Sequence, residues 1–263
     1  MGKKNDHSAT VREHLKTLHL PAMRTCFEEV AQTARREALS YEAFLLELCS
    51  REVETRRQKR VERLLKASNL PLEKNLATFD RKRLPRQVDQ QLATLLEGGF
   101  LDRRENCMVF GNPGSGKSHL LCALGQELIV RHGRPVLFTK CSLLVQDLLA
   151  AKRDLKLAKL IKRLARYEGL IVDDIGYVQH GREEMEVLFT LLAERYERGS
   201  VLLTSNLPFS KWEAIFKDPM TTAAAIDRLV HHSMILELNL TSYRIEQAKR
   251  KKNDEGGRRA AGA

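Results

Sequence analysis

A short glycine-rich stretch limits what this chain can fold into more than any other feature. Residues 111–118 read GNPGSGKS and fit the spacing G-x-x-x-x-G-K-[ST]. The stretch follows the apolar run NCMVF and opens the helical pattern KSHLLCALGQELIVRH. In this order of strand, loop and helix, backbone N–H groups and the helix N-terminus converge on phosphate groups. The chain is therefore predicted to contain a P-loop nucleotide-binding core.

The segments around this loop alternate between strand and helix patterns. The predicted strands are NCMVFG (106–111), PVLFTK (135–140), LIVDDIG (170–176), SVLLTSN (200–206) and SMILELN (233–239). Residues 141–169 are interpreted as one helical stretch, and 182–199 as a helix that ends at Gly199. Such alternation predicts an α/β fold, in which a parallel sheet is covered by helices on both faces.

The remaining segments divide the chain into four parts. Residues 1–70 contain only helical patterns and are predicted to form a small all-helical N-terminal domain that binds DNA, a partner or both. Two prolines mark residues 71–86 as a linker. The nucleotide-binding domain is expected at 87–248, and the polar stretch 249–263 is expected to be a disordered basic tail.

The composition of the chain indicates its cellular location and the charge of its binding partners. The chain has five cysteines and no C-x-x-C pair, which argues against a disulfide framework or a zinc ribbon and favours a cytoplasmic location. Its N-terminal residues have no apolar stretch, so a secretory signal is not expected there, and no apolar run is long enough to predict a membrane span. The 45 Lys and Arg residues exceed the 34 Asp and Glu residues, a net charge of +11. This excess favours a polyanionic partner, although a basic protein without a nucleic-acid role would have the same composition.

The glycine loop supplies the candidate nucleotide ligands. Lys117 is expected to reach the β- and γ-phosphates of ATP, and the Ser118 hydroxyl is expected to bind magnesium. The cofactor-binding residues are predicted to be Gly111, Asn112, Pro113, Gly114, Ser115, Gly116, Lys117, Ser118 and His119.

Polar side chains at two strand ends complete the predicted site. Asp173 is expected to bind magnesium together with Ser118, and Asp174 to orient or deprotonate the attacking water. Asn206 can contact the γ-phosphate or that water if its strand lies beside the strand before the loop. The alternatives are two solvated acids and ordinary turn chemistry at Asn206.

A basic segment at residues 152–166, KRDLKLAKLIKRLAR, is the candidate DNA-binding surface. It contains seven basic residues and one acid. Steps of four and three residues place its predicted DNA ligands on one face of a single helix. These ligands are Lys152, Lys156, Lys159, Arg163 and Arg166. The opposite face is expected to pack on the sheet through Leu157, Leu160, Ile161 and Leu164. Contact with the backbone of duplex DNA is favoured over a solvated helix exterior, because solvated faces usually mix charges.

Two other features carry no predicted chemistry. His231 and His232 are adjacent, so on a helix they would point in different directions and make a poor metal pair. Trp212 is interpreted as a packing residue.

Four stretches together carry a resemblance to a known family. They are GNPGSGKSHL, LIVDDIGY, LFTLLAERYERGSVLLTSNLPFSKWEAIFKDP and AAAIDRLVHHS. They resemble the IstB-like AAA+ ATPases, the ATPase subunits of bacterial IstA/IstB-type insertion sequences, which are similar in turn to the DnaC helicase loader. The resemblance covers about residues 8–250, and its most specific part runs from Arg195 to His232.

The resemblance implies residue roles that spacing does not show. It implies an AAA+ fold in which ATP lies between the subunits of a ring or spiral. Arg228 matches the arginine finger that reaches the neighbouring subunit's γ-phosphate, and Asn206 matches the first sensor. Residues 143–166 fall where initiator-clade proteins insert a helix that lines the DNA channel. Arg244 is a weak candidate for the second sensor.

The resemblance also implies a function. The expected protein is a magnesium- and ATP-dependent regulator of transposition that assembles on duplex target DNA and stimulates an IstA-type transposase. The alternative is a DnaC-like loader of a replicative helicase, which would act on single-stranded DNA. A metabolic P-loop kinase is disfavoured, because no acceptor site is suggested and the basic segment would have no role.

Overall fold

The computed structural model describes residues 4–176, 181–212 and 219–243. The chain divides into two compact units, residues 1–63 and residues 64–263. The expected basic tail at 249–263 and the second-sensor candidate Arg244 lie outside the described residues.

The first unit consists of helices. They are α1 (Lys4–Thr17), α2 (Pro21–Arg36) and the larger part of α3 (Tyr41–Ala67), whose last four residues belong to the second unit. Pro21 begins α2, at a helix position where the missing N–H removes no intrahelical bond. Met23, Val30 and Leu48 form the buried centre of this unit.

A buried carboxylate closes the start of α2. Glu52 of α3 accepts hydrogen bonds from the backbone N–H groups of Ala22 (2.8 Å) and Met23 (3.1 Å) and from Arg56 Nε (2.8 Å). Burial alone would raise the pKa of Glu52, but these hydrogen bonds outweigh burial and lower it. Glu52 is therefore ionised, and its negative charge stabilises the N–H groups at the start of α2 that have no partner within the helix.

The second unit is an α/β fold around a five-stranded sheet. Its helices are α4 (Arg86–Leu96), α5 (Gly99–Asp102), α6 (Lys117–His132), α7 (Cys141–Arg153), α8 (Leu157–Leu164), α9 (Arg182–Arg195) and α10 (Pro219–Val230). Its strands are β1 (Asn106–Gly111), β2 (Val136–Lys140), β3 (Gly169–Ile175), β4 (Ser200–Ser205) and β5 (Ser233–Leu238). Single 3-10 turns occupy Arg81–Arg83 and Phe209–Lys211. The prediction of five strands alternating with helices is confirmed.

All paired strands are parallel, in the order β2-β3-β4-β1-β5. Phe110 at the end of β1 pairs with Ser205 at the end of β4, so β4 does lie beside β1, as the predicted role of Asn206 requires. Helices α4 and α6 contact each other and the sheet, and α7, α9 and α10 form a second group that also contacts it. A large apolar core lies between this second group and the sheet. The carboxyl ends of the strands therefore gather at one edge, where ligands bind in open parallel sheets.

The basic segment does not form one helix, so the prediction of a single face across residues 152–166 is wrong. Helix α7 ends at Arg153, where Lys156 N donates to Ala151 O (2.7 Å) and Leu155 adopts a left-handed φ of +57°. The break lets α8 turn its own apolar side towards the core, independently of α7. The five predicted DNA ligands are therefore distributed over the end of α7 (Lys152), the turn (Lys156), α8 (Lys159, Arg163) and the residues after it (Arg166).

Helix α9 ends earlier than predicted, at Arg195 rather than at Gly199. Arg195 is 4% exposed and donates to the carbonyl oxygens of Leu164, Tyr167, Glu168 and Ser200. Burial lowers the pKa of Arg195 to about 10. The partner carbonyls belong to the last residue of α8, to the two residues before β3 and to the first residue of β4. This buried cation therefore links the end of α8 to the starts of two strands.

Candidate nucleotide-binding site

The loop after β1 has the geometry of a phosphate cradle. Gly116, the residue before α6, has a φ of +100°, in the region that favours glycine. A side chain at Gly111 would collide with the carbonyl group of Leu238. Lys117 is only 5% exposed, and its Nζ donates to Gly111 O (2.8 Å) and Asn112 O (2.9 Å). The backbone carbonyls of the loop therefore hold the Lys117 ammonium group, and Lys117 is the first residue of a 16-residue helix.

A cavity of about 500 Å³ opens beside this loop. Three groups of residues line it: the loop, two strand ends and two segments outside the predicted site. The lining residues are Lys74, Thr78, Phe79, Asp80, Arg83, Pro113, Gly114, Ser115, Gly116, Lys117, Ser118, His119, Asp174, Asn206, Leu240 and Tyr243. The cavity therefore contains most of the predicted nucleotide ligands and lies at the carboxyl edge of the sheet.

The two consecutive aspartates at the end of β3 point in different directions. Asp173 is 3% exposed and accepts a hydrogen bond from Thr204 Oγ1 (2.7 Å), whereas Asp174 lines the cavity. The same Thr204 Oγ1 accepts a hydrogen bond from Asp174 N (2.8 Å). The pairing of β3 with β4 shifts register here, and Asp174 has a φ of +61°. This local irregularity separates the two carboxylates, one held by Thr204 and the other facing the cavity.

Two buried oxygens beside the loop have no hydrogen-bond partner within the described residues. They are Ser115 Oγ in the loop and Asn206 Oδ1 after β4. Buried polar atoms are nearly always paired, and Ser115 and Asn206 both line the cavity, where a bound ligand would supply a partner. A hydroxyl donates to a phosphate oxygen, and an amide oxygen accepts from a water molecule. The residues present therefore fit a nucleotide phosphate and an attacking water.

The segment interpreted as a linker forms one wall of the cavity. His119 Nε2 lies 3.1 Å from both Thr78 Oγ1 and Asn75 O, and the Phe79 ring packs edge-on against His119 with centroids 5.2 Å apart. Burial lowers the pKa of His119, which favours its neutral form. No motif in the sequence predicts this wall, although the aromatic Phe79 among the polar residues of ATFDRKR was an available signal.

The residues after β5 are also tied to the loop. Tyr243 N donates to Gly114 O (3.0 Å), and Arg83 Nη2 donates to Thr241 O (2.9 Å). The Arg83 guanidinium lies 5.2 Å from the centre of the Tyr243 ring. This strap, residues 241–243, therefore contacts both the phosphate loop and the wall before β1.

Arg228 lies at the opposite edge of the sheet. It lines a second cavity, of about 370 Å³, together with Asn106, the first residue of β1, and His232, which directly precedes β5. Its Nη1 donates to Ala224 O (3.1 Å), and its guanidinium lies 5.0 Å from the centre of the Phe189 ring. A six-residue strand such as β1 spans roughly 20 Å. The structure therefore does not bring Arg228 to the phosphate loop of its own subunit.

Comparison with known proteins assigns the chain. A family model described as IstB-like ATP binding protein matches residues 13–252. The chain belongs to this family. An insertion-sequence ATP-binding protein of Sinorhizobium fredii is 40% identical over 243 residues, 92% of this chain and 81% of that protein. The insertion sequence IS21 ATP-binding protein of Pseudomonas aeruginosa is 38% identical over 226 residues, 85% of this chain and 84% of that protein.

Solved structures agree on the fold. The crystal structure of the DnaC helicase loader matches with a TM-score of 0.54 at 15% identity and covers 66% of this chain and 98% of that one. AMPPCP-bound DnaA from Aquifex aeolicus matches with a TM-score of 0.55 at 18% identity and covers 72% of this chain and 56% of that one. The predicted family and AAA+ fold are confirmed. The IstB-like chain is an ATP-binding ATPase.

The basic residues of segment 152–166 differ in their partners. All seven are exposed. Lys152 pairs with Glu186 (3.1 Å) and Lys156 with Asp154 (3.1 Å). The other five have no ion-pair partner within the described ranges: Arg153, Lys159, Lys162, Arg163 and Arg166. We call the last four, which lie on α8 and just after it, the α8 basic face. The apolar side of α8 packs on the core, as the sequence predicted.

The two adjacent histidines are closer to forming a metal site than the sequence indicated. Helix α10 ends at Val230, so His231 and His232 lie in the turn before β5 and not on a helix. One ligand atom from each and one from Glu197 lie within 4.8 Å of one another.

Trp212 is fully buried and donates from Nε1 to Leu207 O (3.1 Å), in agreement with the predicted packing role.

In the part of the chain that the structure describes, no helix combines the length and the apolar character needed to traverse a bilayer.

Proposed function

We propose that this IstB-like chain is an ATP-dependent regulator of transposition that assembles on duplex target DNA and stimulates an IstA-type transposase. One observation carries the proposal beyond the family assignment. The same core unit has a phosphate cavity at one sheet edge and, on a separate helix, a basic face with no acidic partner among its described residues. The insertion-sequence context of the relatives supports a transposase as the partner.

In this proposal, the cavity binds ATP and magnesium. Lys117 contacts the β- and γ-phosphates, and Ser118 and Asp173 hold the cation. Bound magnesium supplies charge neutralisation between the phosphates. Asp174 faces the cavity and acts on the attacking water as a base, while Asn206 positions that water. The hydrogen bond from Thr204 supports this division, because it orients Asp173 separately from Asp174.

We also assign Arg228 to the neighbouring subunit's nucleotide. Its place at the amino edge of the sheet supports this assignment, because the side chain is about a strand length from its own loop. ATP hydrolysis then depends on the formation of a homo-oligomeric ring or spiral. The rate of hydrolysis is therefore expected to rise when the subunits assemble. We assign contact with DNA or with the transposase to the helical unit 1–63.

The α8 basic face is the proposed centre of the DNA surface. Lys159, Lys162 and Arg163 recur at i, i+3 and i+4 on α8, and Arg166 follows the end of the helix. The apolar side chains of Leu157, Leu160, Ile161 and Leu164 face the core. Exposed cations without acidic partners bind phosphates with little competition from the protein itself. The segment contains no aromatic residue that could stack on bases, which supports contact with the backbone of duplex DNA.

The test compares two charge-matched pairs of substitutions. Binding of duplex and single-stranded DNA is measured by fluorescence anisotropy at several salt concentrations, with ATP present. For Lys159→Gln with Arg163→Gln, we expect the slope of log affinity against log salt to become shallower by up to about 1.8, since each lost contact removes about 0.9. Lys152→Gln with Lys156→Gln is the control, and a smaller change is expected because both lysines are paired with acids.

Two outcomes would contradict the proposal. Equal changes in slope for the two pairs would move the DNA surface away from α8. A clear preference for single-stranded DNA would instead support the helicase-loader alternative.

A further inference from the structure

The amino edge of the sheet carries three metal-ligating side chains that ATP hydrolysis does not use. Glu197 lies in the turn between α9 and β4, and His231 and His232 lie in the turn between α10 and β5. Ligand atoms from all three lie within 4.8 Å of one another, and all three residues are exposed. Small side-chain rotations can therefore bring them to a common ion.

Two imidazoles and one carboxylate form a selective set of donors. Magnesium and calcium prefer sites made of oxygen, whereas zinc, cobalt and nickel bind imidazole nitrogen readily. We propose that Glu197, His231 and His232 form a binding site for one divalent transition-metal cation, zinc foremost, with water completing the coordination. The proposal does not depend on the proposed function, because the cation is separate from the one expected at Ser118 and Asp173.

The backbone around the site holds the two turns in place. Asn106 N donates to His232 O (2.7 Å), and the Arg104 guanidinium hydrogen-bonds to Glu197 O. Asn106 also bridges the neighbouring elements, since its Nδ2 donates to Leu229 O (3.1 Å) and its Oδ1 accepts from Val201 N (2.8 Å). The residues leading into β1 thus tie both ligand-bearing turns to one strand.

A second partner orients one of the imidazoles. Tyr196 Oη lies 3.0 Å from His231 Nδ1. Metal-binding histidines commonly use one ring nitrogen for such a hydrogen bond and the other for the metal. This contact leaves His231 Nε2 for the cation.

The surroundings set the expected strength and consequence of binding. Arg103, Arg104 and Arg228 line the adjoining cavity, so we expect affinity below that of a buried structural zinc site. Arg228 lies three residues before His231, near the end of α10. A bound cation would join the turn after α9 to the end of α10 and so restrict the segment that carries the proposed arginine finger.

The test titrates the full chain with Zn²⁺ by calorimetry, and with Co²⁺ by visible absorption, without nucleotide. We expect one site per chain, and loss of binding by more than tenfold in His231→Gln with His232→Gln. Loss of an outer partner costs about 10- to 100-fold in metal affinity, so Tyr196→Phe should weaken binding by about tenfold. His14→Gln removes an exposed histidine of the first unit and should leave binding unchanged. Thermal unfolding of each variant checks that it folds.

The opposite results would overturn the proposal. Zinc affinity in a folded double variant that equals the wild-type affinity would show that the two histidines are not ligands. A thiolate-to-cobalt charge-transfer band would assign the metal to the half-buried Cys26 or Cys49 instead.

Discussion

The two edges of one sheet differ in how they present charge. At the carboxyl edge, the key side chains Lys117 and Asp173 are almost fully buried and fixed by hydrogen bonds. At the amino edge, Arg228 is half-buried, and Glu197, His231 and His232 are exposed. Groups held in place before binding stabilise a ligand's charge without reorganising, as at the carboxyl edge, whereas the exposed groups of the amino edge are accessible to a second molecule. The difference supports the proposal that Arg228 acts on the nucleotide of a neighbouring subunit rather than on its own.

The largest effect is expected at the carboxyl edge, from Lys117→Ala. This change removes the buried ammonium group that the loop carbonyls hold beside the cavity. ATP binding and ATPase activity should both be lost, as measured by nucleotide-binding calorimetry and phosphate release. Lys140→Ala, at the exposed end of β2, is the control and should keep both activities. Normal turnover in Lys117→Ala would show that the nucleotide does not bind at this loop.

At the amino edge, Arg228→Ala should abolish assembly-dependent hydrolysis while ATP binding persists. Arginine fingers contribute roughly a thousandfold or more to turnover. Arg198→Ala is the matched control, because Arg198 is an exposed neighbour that pairs with Glu194 and lines a different cavity. Its ATPase rate should equal that of the wild type.

A mixing experiment then tests whether the two edges act together across subunits. The Arg228→Ala subunit keeps its own loop, and the Lys117→Ala subunit keeps its own arginine. Mixed oligomers should therefore regain ATPase activity that neither variant has alone. If cross-linking demonstrates mixed oligomers and no activity returns at any ratio, Arg228 does not act on a neighbour.

A smaller effect is expected from Asp174→Asn, within the carboxyl edge. Loss of a general base slows turnover by roughly a hundredfold to ten-thousandfold. Nucleotide affinity should change little, because Asp173 and Lys117 keep their contacts. Asp154→Asn is an exposed control on the same unit, and its turnover should match the wild type. Wild-type turnover in Asp174→Asn would leave Asp174 with a structural role only.

The sequence predicted local geometry better than contacts between distant segments. The loop and the strand ends followed from periodicity and motif spacing, because these depend on near neighbours. The pairing of β4 with β1 entered only as a condition for the role of Asn206, because it joins segments that lie far apart in the chain. The wall at Phe79 and the strap at Tyr243 did not follow from periodicity or spacing, because both contact the loop only after the chain has folded. The helix break at Leu155 and the early end of α9 at Arg195 also escaped prediction. In both, tertiary packing decides where a sequence with continuous helical propensity stops.

The smallest effect is expected from a substitution of Thr204, whose hydroxyl contacts both Asp173 and the backbone of Asp174. Thr204→Val keeps the side-chain shape but removes the donor to Asp173 and the acceptor for Asp174 N. A buried group left without its partner costs about 1–3 kcal/mol, so the free energy of unfolding should fall by that amount. Urea titration followed by Trp212 fluorescence measures it, since this buried residue is the chain's one tryptophan and lies in the core beside the sheet.

Two comparisons make the Thr204 result specific. Thr139→Val is the matched control, because the Thr139 hydroxyl on β2 contacts only the adjacent Lys140 carbonyl among the contacts described, and a change below about 0.5 kcal/mol is expected. In the double variant with Asp173→Ala, the two losses should be less than additive, because both remove the same hydrogen bond. Strict additivity would mean that Thr204 does not hold Asp173, and the carboxylate next to the loop would then need another source of orientation.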